Sequence, residues 1–232
     1  MKFSKRLIKG KLIKRYKRFF TDINIKNKTI TAHCPNTGSM MGLLGKNNDV
    51  WISKNNDPKR KLKYTLELIK IKNNLVGVNT LLANRIVYEG LSNNLINEFK
   101  DSDSIKPEVY FNNDTRFDFL VNKNNQNYFI EVKNVTLFRN INTAEFPDAV
   151  TSRGSKHLIT LIDAIKKGYK SYVIFLVQIQ NIDNFKIAKD IDKDYYKNYL
   201  LAKKAGVQFL AYKCKIDPVE ITIKKKLKII NE

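Results

Sequence analysis

Asp118, Glu131 and Lys133 are the residues whose types and spacing point first to chemistry. They lie in RFDFLV (116–121) and YFIEVK (128–133), two runs rich in β-branched and aromatic residues. Both read as strands, with the polar residues 122–127 supplying the turn. Simple hairpin register sets Val121 opposite Tyr128, Asp118 opposite Glu131 and Arg116 opposite Lys133. Period-two alternation then puts Glu131 and Lys133 on one face, beside Asp118. Facing carboxylates repel on a bare sheet, whereas a divalent cation turns that repulsion into binding. Two carboxylates on strands with a lysine alongside make a minimal Mg²⁺ (or Mn²⁺) site for phosphodiester chemistry. The same spacing also fits an exposed hairpin whose carboxylates pair with Arg116 and Lys133, and D-x(n)-E-x-K recurs by chance.

Composition favours the first alternative. Forty-three Lys and Arg against twenty-two Asp and Glu leave a net charge of +21 on 232 residues. Self-repulsion of that size opposes compaction, so the excess is directed outward, to a polyanion or an anionic surface. An AT-rich coding sequence, suggested by the many Lys, Asn and Ile residues, accounts for part of it only. No run of eighteen apolar residues exists, so no membrane span is expected. The N-terminal segment MKFSKRLIKGKLIKRYKRFF carries nine basic residues but no uninterrupted apolar core and no small-residue cleavage site. It is therefore expected to belong to the mature fold rather than to a secretory signal. Two cysteines, Cys34 and Cys214, are too few for a disulfide framework, and no CxxC or His-Cys cluster suggests zinc. A reducing cytoplasm is the expected compartment.

Two regions follow one another, giving an α/β (α+β) chain. Residues 1–80 read as short strands, at 12–25, 29–34, 50–53, 64–71 and 75–79, separated by polar turns. That pattern predicts a small OB-like β-barrel. Its basic residues interleave with aromatics in Arg15-Tyr16-Lys17-Arg18-Phe19-Phe20 and in Lys59-Arg60-Lys61-Leu62-Lys63-Tyr64. Such runs suit a phosphate backbone and stacked bases, so Arg15, Lys17, Arg18, Lys59, Arg60 and Lys61 are candidate DNA contacts. The alternative for each aromatic is a place in the core, with the lysines merely solvated. Residues 81–232 read as α/β: a helix over 81–99, the 116–133 hairpin, a helix over 151–167 capped by Gly168, a buried strand over 172–179, a helix over 194–205 ending at Gly206, and a strand over 207–215. This order resembles the core of the PD-(D/E)xK, restriction-endonuclease-like enzymes.

The blocks RYKRFFTDI (15–23), HCPNTGSM (33–40), VNTLLANRIV (78–87), RFDF (116–119), IEVKNVTL (130–137) and FPDAVTSRGSKHL (146–158) together resemble the sugar fermentation stimulation protein A family. The resemblance implies an N-terminal OB-like domain, a nuclease-like C-terminal domain, and DNA binding largely without sequence preference. It also implies a cytoplasmic protein associated with sugar-utilisation genes. Carried onto this chain, Asp118 and Glu131 become metal ligands, Lys133 stands beside the attacking water, and Glu89 is the helical acid, with Glu98 as competitor. Phe117 replaces the proline of the superfamily's name.

In the last block, Arg153 and Lys156 sit three apart near a predicted helix start, where free N–H groups and the dipole favour phosphate. His157 is either a contributor to the site or a satisfied, partly buried histidine. Asp148 reads as a cap or turn residue, and His33 to Gly38 as a strand end running into a tight turn. Three functions remain open: a Mg²⁺-dependent nuclease that binds DNA; a non-catalytic DNA-binding regulator that keeps the nuclease architecture as scaffold; and an RNA-binding protein.

Overall fold

The computed structural model describes residues 1–230. Six strands build the first unit: β1 (Ile8–Tyr16), β2 (Phe20–Ile25), β3 (Lys28–His33), β4 (Asp49–Lys54), β5 (Tyr64–Ile71) and β6 (Asn74–Gly77). Their order is β3-β2-β1-β4-β5-β6, and a His33–Thr65 contact between β3 and β5 closes the sheet into the expected barrel. Leu12, Ile23, Ala32, Val50, Ile52 and Leu66 fill it, each fully buried. The single strand expected over 12–25 is instead a hairpin. Lys17 and Arg18 turn the chain with φ of 46° and 61°. No glycine or asparagine marks that turn, so the apolar alternation runs across it unbroken.

The second unit is a six-stranded sheet in the order β15-β14-β12-β9-β8-β7. Its strands are β7 (Ser104–Tyr110), β8 (Arg116–Lys123), β9 (Gln126–Val135), β12 (Lys170–Val177), β14 (Gln208–Ile216) and β15 (Ile221–Lys226). Helix α1 (Ala83–Ser92) covers one face, its Ile86, Val87 and Leu91 packing with Ile130, Ile174 and Leu176. Helices α2 (Ser152–Lys166) and α3 (Lys193–Lys204) cover the other, where Leu158, Leu161 and Ala164 meet Phe129, Val173 and Phe175. Because β12 is buried on both sides, it reads as a continuous apolar run. A small second sheet of β10 (Leu137–Asn140), β11 (Thr143–Phe146), β13 (Asn184–Ile187) and β16 (Lys228–Ile229) was invisible to strand patterning, its strands being only two to four residues long. Lys224, Lys225 and Lys226 end the edge strand β15.

Within the expected 81–99 helix only Ala83–Ser92 is α-helical; single 3-10 turns at Thr80–Leu82 and Asn97–Phe99 flank it. The hairpin loop is also tighter than expected. Pairing continues through Asn122–Asn127 and Lys123–Gln126, leaving Asn124 and Asn125 as a two-residue turn with φ of 52° and 61°. Asparagine tolerates this left-handed geometry, which matches strand twist.

The two units are joined by backbone hydrogen bonds as well as by side chains. Gly77 N–H donates to the Gln178 carbonyl at 2.9 Å, and Gln180 N–H to the Leu75 carbonyl at 3.0 Å. Among the described residues, no helix is long and apolar enough to cross a membrane.

Candidate active site

Strands β8 and β9 pair from Lys123–Gln126 up to Phe119–Ile130, the register expected from Val121 opposite Tyr128. One residue further on, Asp118 leaves the ladder. Its Oδ2 accepts the backbone N–H of Val132 at 2.6 Å, and its Oδ1 accepts from Asn84 Nδ2 at 2.7 Å. Asn84 lies in the first turn of α1, so a helix and a strand 34 residues apart meet at this carboxylate. Burial and then the nearby Glu131 carboxylate push the Asp118 pKa up to about 6.

Glu131 is 4% exposed. Its Oε1 accepts from Lys133 Nζ at 2.6 Å and is also held by His157 Nδ1 from α2. Burial alone would raise its pKa, but Lys133 and His157 together outweigh burial and lower it. The Nε2 of His157 accepts from Arg153 Nε at 3.4 Å, which leaves Nδ1 to carry the proton toward Glu131. The other oxygen of Glu131, Oε2, is buried without any hydrogen-bond partner. An orphaned carboxylate oxygen in this position is costly unless something cationic completes it.

Among the described residues, no group of three or more His, Cys, Asp and Glu side chains converges as a self-sufficient metal cage. Two carboxylates nevertheless fit Mg²⁺, which keeps several waters and commonly takes only one or two protein carboxylates beside a substrate phosphate. Asp118 and Glu131 would be the ligands. Orphaned Oε2 is the observation that favours the fit.

Arg116, a possible partner of the carboxylates, turns instead to Glu108 of β7 at 2.7 Å. Glu89 does not join the pair: its carboxylate contacts the Met1 amino group at 2.6 Å and Arg85 at 3.3 Å. Glu98, the competitor, accepts from Tyr212 and from Lys226, each at 2.6 Å. The helical position beside Asp118 is thus filled by Asn84, within the VNTLLANRIV block, where an expectation of an acid hid an amide.

The basic residues of the barrel separate into two kinds. Lys17, Arg18, Lys59 and Lys61 are exposed. Arg15 is half-buried, and its guanidinium donates to the carbonyls of Arg18 (2.9 Å), Asn36 (2.6 Å) and Gly38 (3.1 Å). It shapes the 36–38 loop, a structural task that the interleaved sequence pattern could not reveal. Arg60 is also half-buried and, after burial itself, helps to lower the pKa of His33. His33 pairs with Phe20 across β2 and β3, so the 17–19 turn and the 59–61 loop gather at one end of the barrel. Between that end and the start of α2 lies a cavity of about 680 Å³ with mixed polar and apolar walls, bordered by Arg15, Arg18, Asn36, Asn134, Phe146 and Thr151.

On α2, Arg153 and Lys156 are exposed, and the N-cap is Thr151, whose hydroxyl accepts from Gly154 N–H at 3.1 Å. Asp148 is therefore not the cap. Its Oδ2 accepts from Met40 N–H at 3.3 Å, and a Cβ on Gly38 would stand 2.3 Å from that same oxygen. The loop around Asp148 and the Gly38 turn are fitted to each other across the two units.

Comparison with known proteins places these features in a family. The family model described as the sugar fermentation stimulation protein RE domain matches residues 81–220, and the SfsA N-terminal OB domain matches residues 13–78. A sugar fermentation stimulation protein homolog of Pelagibacter ubique is 71% identical over 231 residues, covering 100% of both chains. A homolog of the same description from Maricaulis maris is 40% identical, covering 99% of this chain and 98% of its own. A solved structure of Pyrococcus furiosus SfsA in complex with Ca²⁺ superposes with a TM-score of 0.89 at 22% identity, covering 100% of this chain and 98% of that one. At that identity the likeness speaks to the fold alone.

Proposed function

This chain belongs to the sugar fermentation stimulation protein family, and on that premise we propose that it binds DNA through the phosphate backbone and cleaves phosphodiesters with a divalent cation held by Asp118 and Glu131. The orphaned Oε2 of Glu131, buried beside Asp118, carries this reading. Ca²⁺ in the Pyrococcus relative is in keeping with it.

When bound, Mg²⁺ or Mn²⁺ would supply electrostatic stabilisation of the charge that develops on the phosphoryl oxygens. The chain's own residues do the rest. Asn84 and the Val132 N–H fix the direction of Asp118, while His157 and Lys133 fix Glu131. Lys133, whose side chain is 12% exposed, keeps two further ammonium donors with which to orient a water or offset phosphate charge. In hydrolysis that water oxygen bonds to phosphorus as the bond to the leaving ester oxygen breaks. The proton lost by the water and the one gained by the leaving oxygen balance through solvent. Lys17, Arg18, Lys59, Lys61, Arg153 and Lys156 contribute exposed charge for the backbone.

The test is direct. Purified protein is incubated with single-stranded and duplex DNA in Mg²⁺, Mn²⁺ or EDTA. Metal-dependent cleavage that disappears in Asp118→Asn and Lys133→Ala is expected. Cleavage surviving both substitutions would place the chemistry elsewhere. Binding in EDTA without any cleavage by the native chain would leave a scaffold that acts by occupancy.

A further inference from the structure

Beside Asp118, on its α1 side, a cleft of about 260 Å³ opens between the helix and β7. Its walls are mainly apolar: Tyr88, Pro107 and Phe119, with Asn84, Arg85 and Asp118 at the rim. Tyr88 lies one turn beyond Asn84, so the two share a face of α1 and the same side chain array that anchors Asp118 also presents the ring. The ring rests on Phe119, centroids 6.3 Å apart and planes 23° from parallel. Phe119 is buried beneath it, while Tyr88 itself remains 42% exposed. Tyr88 is thus packed beside Phe119 in an offset contact, with part of its surface left open in a cleft that Asp118 borders.

We infer that this cleft is a nucleobase subsite, in which a base next to the reacting phosphate stacks on Tyr88. The inference rests on the proposed function, because a phosphate at Asp118 and Glu131 is what brings the base there. Aromatic platforms beside cationic grooves are the physical means by which unpaired strands are held, since every base has a π-face. Arg85, paired with Glu89 at 3.3 Å, stands at the rim with its side chain 63% exposed. Glu108, also in the cleft, has its charge matched by Arg116 at 2.7 Å. A base inside a duplex is already stacked and cannot enter, so the preferred substrate is single-stranded, or frayed or flipped at this one nucleotide.

The experiment uses the full chain with Ca²⁺ in place of Mg²⁺, which keeps a cation for the phosphate, and a set of single-stranded oligonucleotides each carrying one 2-aminopurine and checked to be uncut. Quenching of the 2-aminopurine on binding is expected from the native protein. Tyr88→Ala should abolish that quench and weaken single-strand binding about tenfold, whereas Tyr88→Phe should retain both. Affinity for a fully paired duplex of the same sequence should be unaffected by either change. The inference is overturned if no position is quenched, if Tyr88→Ala binds single strands as the native chain does, or if it only alters self-association in sedimentation. A Tyr88-dependent quench in a protein that never cuts would retain the base subsite and remove hydrolysis. Asp118-dependent cutting with no Tyr88 effect would do the reverse.

Discussion

Asp118 and Val132 are joined by a 2.6 Å hydrogen bond in which the carboxylate accepts a backbone N–H from the strand that also carries Glu131. The bond stands one step past the last regular β8–β9 pair, Phe119–Ile130. It holds the Asp118 carboxylate inward, where burial first and the Glu131 carboxylate second raise its pKa, although the bond itself opposes that rise.

A pH dependence follows from that relationship. Folded Asp118 keeps its proton until about pH 6, against an ordinary value of 3.8. Between those values the folded state binds more proton than the unfolded one, so metal-free stability falls as pH rises through this window and stays lower above it. The loss is on the order of 2–3 kcal/mol. Asp118→Asn, which retains one acceptor, should therefore gain more stability relative to the native chain at pH 8 than at pH 4. Urea melts at the two pH values in EDTA measure the difference; a substitution that destabilises equally at both would contradict it.

Divalent metal should reverse the sign. At a hundredfold excess over its Kd, a ligand of the folded state adds about 2.7 kcal/mol. Mg²⁺ or Mn²⁺ should accordingly raise Tm in the native protein at pH 8 and leave Asp118→Asn and Glu131→Gln unmoved. A carboxylate pair that serves only as an ion-pair partner of Lys133 predicts no metal effect on any of the three.

The helical positions separate cleanly. Asn84→Ala removes the donor to Asp118 Oδ1 and should weaken the metal-dependent rise in Tm, read as a higher metal concentration at half-effect. Glu89→Gln breaks contacts to Met1 and Arg85 and should lower stability while that half-effect concentration stays unchanged. If Glu89→Gln shifted metal affinity and Asn84→Ala did not, the acid would be restored as the helical ligand.

Among the barrel's basic residues, stability and DNA affinity should part company. Arg15→Ala forfeits three hydrogen bonds to carbonyls and should cost roughly 2–3 kcal/mol. Lys59→Ala and Lys61→Ala should change stability by no more than about 0.5 kcal/mol. If each meets a phosphate, each should also reduce the salt slope of duplex binding by about 0.9. Chemical denaturation and binding titrations across salt concentrations read the two effects independently.

Local pattern determined much of this protein. The alternation in 116–121 and 128–133, with the polar turn between them, specifies two strands and their register as far as Phe119–Ile130, although at Asp118 the alternation breaks and Phe117 and Phe119 enter different cores. Gly168 and Gly206, with φ of 88° and 102°, mark the ends of α2 and α3 for the same local reason. The barrel was legible from its short strands and turns, except at Lys17 and Arg18, where ordinary side chains take a left-handed turn that carries no signature.

Tertiary structure decided which groups complete the site. Asn84 reaches Asp118 across 34 residues, His157 reaches Glu131 across 26, and Met40 meets Asp148 across 108. None of these separations has a period that sequence alone can display. Whether Arg15 would face solvent or its own loop, and whether the helical group would be Glu89 or Asn84, depended on how α1, α2 and the barrel pack around one end of the sheet. Secondary-structure periodicity sets the face on which a side chain lies, but only the packing of distant elements sets what that face meets.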